Sequence, residues 1–284
     1  MAPGELPPLP IAADGAAARE VALRCADAAL AVLREAAALP RVLAEKGVTA
    51  GGRVDVVTTT DPAIERAVLA ILRAAYPDHA ILGEETGGHA GEAAWTWVID
   101  PIDGTRNFGL GIPFVGFNLA LCYGDRPALA LTADPYHGET FYAEAGSGAT
   151  VNGVPLRVAQ PPRLLDAVLA VDLGLDDVRG RAMLTALHDL FPNIQAVRVW
   201  GTVALGMAYV AAGRIDAYIQ PSPYAWDFAP GLLLVDEAGG VVTDLTGGPM
   251  TLATRSVIAA SPTIHADLVQ AFRHVADVRS RRPS

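Results

Sequence analysis

Apolar residues in this chain recur at two spacings, one typical of helices and one typical of strands. Intervals of three and four residues predict helices at 12–39, 61–76, 178–191, 203–212, 226–237 and 264–275. β-branched and apolar runs bounded by turn residues predict strands at 54–60, 80–82, 95–99, 113–123, 128–132, 139–144, 150–151, 156–158, 167–171, 195–199, 215–220, 241–243 and 256–260. The first half therefore predicts helices on a mixed or antiparallel sheet, and the second half predicts an α/β layer.

Composition breaks divide the chain into four predicted parts. The Pro-rich residues 1–11 predict a disordered leader, which lacks the basic and apolar regions of a signal peptide. Residues 12–160 predict an N-terminal α+β subdomain with most of the candidate site residues, and the break at Gln160-Pro161-Pro162 marks its end. Residues 161–276 predict a C-terminal α/β subdomain, followed by a polar tail at 277–284.

Charge and cysteine content exclude several classes of protein. The formal net charge of −10 disfavours binding to nucleic acid or to an anionic membrane. No apolar run approaches the roughly 18 residues that a membrane-spanning helix needs. Cys25 and Cys122 lie far apart in apolar contexts, which predicts buried reduced thiols in a cytoplasmic protein. The single lysine, Lys46, falls in a predicted helix or loop and is assigned no function.

The segment Asp100-Pro101-Ile102-Asp103-Gly104-Thr105 follows the apolar run 95–99 and concentrates acidic side chains at its end. Because Asp is a poor strand former and Pro ends a ladder, both carboxylates are expected on a turn. Two close carboxylates repel each other unless they share a proton or a cation, which favours a divalent metal. Gly104 allows close approach to a phosphate, and a helix starting at Thr105 would direct its N–H groups there. The alternative is a turn that serves folding alone.

Four carboxylates share one kind of setting, at the end of an apolar element and beside Gly, Pro or an aromatic residue: Glu84, Asp100, Asp103 and Asp227. Such hard oxygen ligands suit magnesium or manganese. The six histidines show no paired ligand spacing, so zinc is disfavoured. Asp61 precedes Pro62, which by itself predicts a helix start with Asp61 as its N-cap.

Three segments resemble the signatures of the inositol monophosphatase family of metal-dependent, lithium-sensitive phosphatases: 83–85, 97–108, and 226–231 with 237–240. The similarity extends from about Val54 to Ala260 and includes 146–149 with Asn152-Gly153. The resemblance implies a layered αβαβα sandwich of the α+β class and a homodimer.

The resemblance also implies a set of metal ligands. One ion is expected on Glu84, Asp100 and the carbonyl oxygen of Ile102, and a second on Asp100, Asp103 and Asp227, with Asp100 bridging. Two or three Mg²⁺ ions per site are expected, with Mn²⁺ as an alternative. Two ions about 4 Å apart clamp the attacking and leaving oxygens of an in-line displacement.

Further roles follow from the resemblance. The Thr105 hydroxyl and its acidic partner Asp61 help to activate the attacking water, which Glu84 also orients. Backbone donors of Gly104 and Thr105 hold the phosphate, and no covalent phosphoenzyme is expected. The resemblance therefore replaces the capping role of Asp61 with a catalytic one.

Substrate contacts are expected from Asp103, Gly104, Thr105, Gly201, Thr202, Val203, Gln220 and Asp227. The family has an acidic residue seven positions before the last metal ligand, where this chain has Gln220. An amide offers one acceptor and two donors, so inositol recognition is expected to be altered. Arg106 and the loop 221–224 are candidates for contacting a different alcohol or a second phosphate, and the alternative for Arg106 is a solvated surface position.

The predicted function is a Mg²⁺-dependent phosphomonoesterase of small phosphorylated polyols or sugars, with inositol 1-phosphate as the leading substrate. Alternatives in the same superfamily are histidinol phosphate, fructose 1,6-bisphosphate and the 3′-phosphate of an adenosine bisphosphate. An alternative of another class is a non-catalytic protein that binds the transcription machinery, as some bacterial relatives do. The acidic balance and the complete set of ligands argue against binding as the sole role.

Overall fold

The computed structural model of the protein describes residues 6–38, 42–49, 52–88 and 93–278. In this part of the chain the helices are α1 (Ala18–Ala37), α2 (Thr60–Ala75), α3 (Thr105–Leu110), α4 (Asp177–Leu190), α5 (Val203–Ala211), α6 (Ala225–Glu237) and α7 (His265–Asp277). The strands are β1 (Ala44–Val48), β2 (Val54–Val57), β3 (Ala80–Gly83), β4 (Trp95–Asp103), β5 (Gly116–Tyr123), β6 (Arg126–Asp134), β7 (Glu139–Glu144), β8 (Ala149–Val151), β9 (Val154–Pro155), β10 (Val168–Val171), β11 (Ala196–Val199), β12 (Ala217–Gln220), β13 (Val241–Thr243) and β14 (Val257–Ala260).

The larger sheet has seven strands in the order β3-β4-β5-β6-β7-β8-β9. Only the pairing of β3 with β4 is parallel, as expected for a mixed sheet. The strand β4 continues to Asp103, whereas the sequence predicted that Asp100 and Asp103 lie on a turn past its end. The register against β5 shifts between Asp100 and Asp103, and this irregularity accommodates Pro101 inside the strand.

The smaller sheet has five strands in the order β11-β10-β12-β14-β13. Its strands β11, β10 and β12 are parallel, whereas β14 runs antiparallel to both β12 and β13. The alternation of strands and helices predicted for the second half is thus present.

Helices and sheets stack in five layers. The pair α1 and α2 packs on one face of the larger sheet, and α5 and α6 pack between the two sheets. The pair α4 and α7 covers the other face of the smaller sheet. Three apolar clusters fill the spaces between the layers, with Trp97, Phe228 and Phe272 among their fully buried side chains. This arrangement is the predicted αβαβα sandwich.

The helix α2 begins at Thr60, so the prediction of Asp61 as its N-cap is wrong. Asp61 lies in the first turn, and its carboxylate bends back to accept hydrogen bonds from the backbone N–H and the hydroxyl of Thr58. Pro62 is tolerated there because the first N–H groups of a helix have no partner within it.

The N-terminal segment is partly packed. Residues 1–5 of the predicted disordered leader lie outside the described residues. Leu9 packs against the cluster formed by α1, α2 and the larger sheet, and the Tyr76 hydroxyl donates to the Pro10 carbonyl at 3.2 Å. The leader expected to be disordered to residue 11 is therefore held in place in its second half, because it covers apolar surface. The boundaries at 160 and 276 stay predictions.

Two hairpins decide where short strands lie. The predicted Asn-Gly turn is present, with φ of 48° at Asn152 and 83° at Gly153. Because this two-residue turn pairs its flanks at once, β9 covers Val154–Pro155 instead of 156–158. The strand β1, which carries Lys46, pairs antiparallel with β2, although the sequence predicted a helix or loop there.

In the described ranges no helix has the length and apolarity to cross a membrane.

Candidate active site

Three carboxylates converge where β4 ends and α6 begins. Asp100 and Asp103 lie at the end of β4 and are buried, and Asp227 lies in the first turn of α6. One oxygen from each of the three lies within 4.8 Å of the others. Residues more than a hundred positions apart in the sequence therefore form one acidic centre, as predicted.

Glu84 reaches the same cleft from the end of β3. Its backbone N–H donates to the Ile99 carbonyl at 3.2 Å, which continues the parallel pairing of β3 with β4 and places it beside Asp100. Glu84, Asp100, Asp103 and Asp227 all line the cleft. All four predicted ligand side chains thus line one cleft together with Ile102. The described group of oxygens within 4.8 Å of one another contains Asp100, Asp103 and Asp227 but not Glu84.

Crowding and burial shift the pKa values of these acids. Burial raises the pKa of Asp100 well above its ordinary value, and the charges of Glu84, Asp103 and Asp227 add to this. Burial and the charge of Asp227 also raise the pKa of Asp103, and burial raises the pKa of Glu84. Burial raises the pKa of Asp227 to about 7. Without a cation, burial and mutual repulsion therefore oppose the ionisation of these groups.

The donor set fits a hard divalent cation. The Asp100 Oδ1 atom is buried and accepts no hydrogen bond from any described residue. An unpartnered buried carboxylate oxygen is unfavourable unless a cation neutralises it. Oxygen-only ligands at close range are those that magnesium and manganese prefer.

Polar contacts fix the Asp103 carboxylate and the backbone of Asp227 in place. The Thr202 hydroxyl and the Ala204 N–H, the latter at 2.6 Å, donate to the Asp103 Oδ2 atom at the start of α5. The Asn118 amide donates to the Asp227 carbonyl at 2.7 Å and accepts from the Thr132 hydroxyl at 2.6 Å. These contacts join β4 to the start of α5, and β5 and β6 to the start of α6. Thr202 therefore orients Asp103, and its predicted contact with substrate stays a prediction.

The pair Asp61 and Thr105 is assembled as the resemblance implied. The Thr105 Oγ1 atom lies 3.0 Å from Asp61 Oδ1 and 2.9 Å from the Ile102 carbonyl oxygen. Burial raises the pKa of Asp61 against the hydrogen bonds from Thr58 and Thr105. The preceding Gly104 has φ of 95°, and a Cβ there would lie 3.2 Å from the Gly201 carbonyl oxygen. Only glycine allows this conformation beside the turn without strain.

The cleft has a volume of about 340 Å³, and its far side is formed by the turn at Gly201-Thr202-Val203 and by Gln220. Gln220 ends β12 and is 9% exposed, and its Oε1 atom accepts no hydrogen bond from the described residues. Arg106 lines the cleft while its guanidinium donates to the Val54 carbonyl. The loop 221–224 does not line the cleft, and its suggested contact with the substrate stays a prediction.

Sequence reasoning missed several charged residues at or beside this site, among them Lys46 and Asp172. The Lys46 Nζ atom lies 2.9 Å from Glu84 Oε1 and 2.6 Å from Glu85 Oε1. Asp172 is buried, and its carboxylate accepts from the Gly201 N–H at 2.7 Å and from the Tyr218 hydroxyl at 2.8 Å. Burial raises the pKa of Asp172 to about 6. The signals available were that Lys46 is the single lysine and that Asp172 directly follows a buried strand.

Comparison with known proteins agrees with this geometry. A model of the inositol monophosphatase family matches residues 16–276. The chain belongs to this family. The Nus factor SuhB of Pasteurella multocida (strain Pm70) is 39% identical over 212 residues, which are 74% of this chain and 79% of that protein. The inositol monophosphatase of Mesembryanthemum crystallinum is 33% identical over 236 residues, which are 81% of this chain and 87% of that protein.

Solved structures of family members share the fold. The extragenic suppressor protein SuhB from Bartonella henselae has a TM-score of 0.83 and 32% identity and covers 90% of this chain and 98% of its own. The Thermotoga maritima IMPase has a TM-score of 0.80 and 30% identity and covers 91% and 97%. Family membership supports a metal-dependent phosphatase, typically with Mg²⁺, and the buried acidic centre agrees with this.

The raised pKa values predict an unusual dependence of stability on pH. A carboxyl whose pKa is raised on folding adds stability below its unfolded pKa, and this stability is lost as the pH rises through its folded pKa, which is about 7 for Asp227. Protein treated with EDTA should therefore unfold at least about 3 °C higher at about pH 5 than at about pH 8. Differential scanning calorimetry with and without Mg²⁺ measures this, and Mg²⁺ should reduce the difference by stabilising the ionised forms. Two results would contradict the assignment of this pH dependence to the acidic centre. One is an unfolding temperature that depends on pH equally with and without Mg²⁺, and the other is an equal difference between about pH 5 and about pH 8 in Asp227→Asn and the wild type.

Proposed function

We propose that this protein is a Mg²⁺-dependent phosphomonoesterase that hydrolyses a small phosphorylated polyol or sugar, with inositol 1-phosphate as the leading substrate. The observation that supports this most is the convergence of Asp100, Asp103 and Asp227 in a cleft that Glu84, Gly104 and Thr105 also line. We further propose that it acts as a lithium-sensitive homodimer in the cytoplasm. The net charge of −10 argues against a nucleic acid or membrane partner.

The proposed metal ligands are Glu84, Asp100 and the Ile102 carbonyl oxygen for one Mg²⁺, and Asp100, Asp103 and Asp227 for a second. A weaker third ion is compatible with the proposal, and Mn²⁺ is the alternative metal. When bound, such ions lower the pKa of water and stabilise the charge that develops on the leaving oxygen.

Residues of the chain then orient the attacking water. The Thr105 hydroxyl donates to Asp61, so its oxygen can accept a hydrogen bond from water on the cleft side. In this way Asp61 and Thr105 draw a proton away from the water as it attacks, and Glu84 holds the water from the other side. Because α3 begins at Thr105, its first backbone N–H groups face the phosphate rather than partners within the helix.

The far side of the cleft supports a neutral or anionic leaving group. The Gln220 Oε1 atom is a buried acceptor that a polyol hydroxyl can satisfy. The Gln220 amide carries no charge. It therefore attracts a cationic leaving group such as histidinol less strongly than the acidic residue that the family has at this position. Arg53 and Arg106 line the same cleft, which makes fructose 1,6-bisphosphate the second substrate to test, ahead of histidinol phosphate and 3′-phosphoadenosine phosphates.

Substitution of a metal ligand tests the proposal. Asp100→Asn or Asp227→Asn should abolish phosphate release from inositol 1-phosphate, because an amide poorly replaces a hard anionic ligand. The loss in kcat should exceed the roughly 10- to 100-fold typical of residues that only orient metal ligands. Asp189→Asn, at a carboxylate that is 70% exposed, is the matched control and should leave turnover unchanged. Activity near the wild-type level in either site variant would show that the metal ligands are misassigned.

A second substitution tests the assignment of specificity. Gln220→Glu should raise kcat/KM for inositol 1-phosphate by about 10-fold, because a carboxylate accepts two hydroxyl hydrogens in charge-assisted bonds. Gln270→Glu on the exposed side of α7 is the control and adds the same charge away from the cleft. Steady-state rates over the four phosphate substrates measure the effect. If Gln220→Glu leaves kcat/KM for inositol 1-phosphate unchanged, the residue does not contact the leaving group.

A binding role in transcription is the second candidate, because similar proteins from several bacteria are named Nus factor SuhB. A pull-down with purified RNA polymerase from the same organism tests it. Under the phosphatase proposal alone, the wild type and Asp100→Asn retain no polymerase. Retention by both proteins would favour a binding role that does not depend on the metal ligands.

A further inference from the structure

A buried glutamate that the proposed chemistry does not use lies next to the active site. Glu65 on α2 has no exposed surface, although a buried carboxylate needs strong partners. Its Oε2 atom accepts from the Glu85 N–H at 2.9 Å, and its Oε1 atom accepts from the Thr86 N–H at 2.8 Å. Both donors belong to the turn that directly follows Glu84. Glu65 therefore fastens this turn to α2 through two charge-assisted hydrogen bonds.

The end of β3 leaves room for this contact. Gly83 is the last residue of β3, and a Cβ at that position would lie 2.5 Å from Glu65 Oε1. Any other residue would displace the carboxylate from the two N–H groups. Position 83 therefore requires glycine for a steric reason, because the Glu65 carboxylate, eighteen positions earlier in the sequence, lies where a Cβ would be.

The same helix also holds the other side of the site. Asp61 and Glu65 are four residues apart on α2 and so lie on one face. Asp61 Oδ1 accepts from the Thr105 hydroxyl, whereas Glu65 holds the turn after Glu84. Ile64, Val68 and Leu72 are fully buried against the sheet and fix the helix. One rigid turn of helix therefore sets the separation between Thr105 and the Glu84 turn.

We propose that Glu65 is a positioning residue, which together with Asp61 makes α2 a rigid spacer between Glu84 and the Thr105 hydroxyl. The proposal rests on the proposed function, in which Glu84 binds a metal ion, and Glu84 and the Thr105 hydroxyl orient the attacking water. Without Glu65, the Glu84 side chain would still contact Lys46. Lys46 lies on β1, whose residues are largely exposed. Glu84 would then follow that hairpin, and metal affinity at its position would fall.

Mn²⁺ affinity tests this separately from turnover. Glu65→Gln keeps the shape of the side chain but turns a donor group toward one of the two N–H groups, so it should weaken binding by about 10-fold. Gly83→Ala should have a similar effect, because its Cβ displaces the carboxylate. The double variant should bind Mn²⁺ no more weakly than Glu65→Gln alone, because both changes remove the same contact between Glu65 and the turn after Glu84. Glu20→Gln, on an exposed helical position of α1, should match the wild type.

The electron paramagnetic resonance signal of free Mn²⁺ gives the affinity, and the Mg²⁺ dependence of phosphate release gives an independent value. Affinities in Glu65→Gln and Gly83→Ala within twofold of the wild type would overturn the proposal, as would additive losses in the double variant. If Glu65→Gln does not fold, Gly83→Ala alone decides. A wild type that binds Mn²⁺ but hydrolyses none of the phosphate substrates would refute the proposed function, while the comparison of affinities would still decide the role of Glu65.

Discussion

Repulsion among buried carboxylates is the constraint on which the rest of this structure depends. Asp100, Asp103 and Asp227 present oxygens within 4.8 Å of one another, and Asp100 and Asp103 are almost without solvent contact. Such a centre is unfavourable in a metal-free fold because like charges and burial both oppose ionisation. It is maintained because the carboxylates lie on two rigid elements, β4 and α6, which the five packed layers hold in place.

The polar contacts around the centre have one common effect, which is to remove freedom from the ligand side chains. Thr202 and Ala204 hold Asp103, Asn118 holds the first turn of α6, and Asp172 holds the Gly201 turn. Each of these contacts joins elements that are distant in the sequence. A site that is preorganised in this way binds a cation without first ordering its ligands.

Local sequence patterns were sufficient to predict the acidic centre and most of the layers. The acidic segment 100–105 and the position of Asp227 at a helix start followed from motifs and apolar spacing. The αβαβα sandwich was implied by the resemblance to the inositol monophosphatase family. The hairpin of β1 and β2 was missed because the residues of β1 are largely exposed and show no alternation that indicates a strand. Glu65 and Asp172 were missed because their hydrogen-bond partners lie far along the chain, which no local pattern reveals. The Asp61-Pro62 pair alone predicted a cap, whereas the resemblance paired Asp61 with Thr105, and its carboxylate bonds to Thr58 and Thr105.

A crystal structure of the wild-type protein with Mn²⁺ and inorganic phosphate tests the central claim most directly. Anomalous scattering should place at least two ions about 2 to 2.5 Å from carboxylate oxygens, with Asp100 contacting both ions and the phosphate beside Gly104 and Thr105. Ions bound elsewhere, or an Asp100 carboxylate that contacts none, would contradict the account.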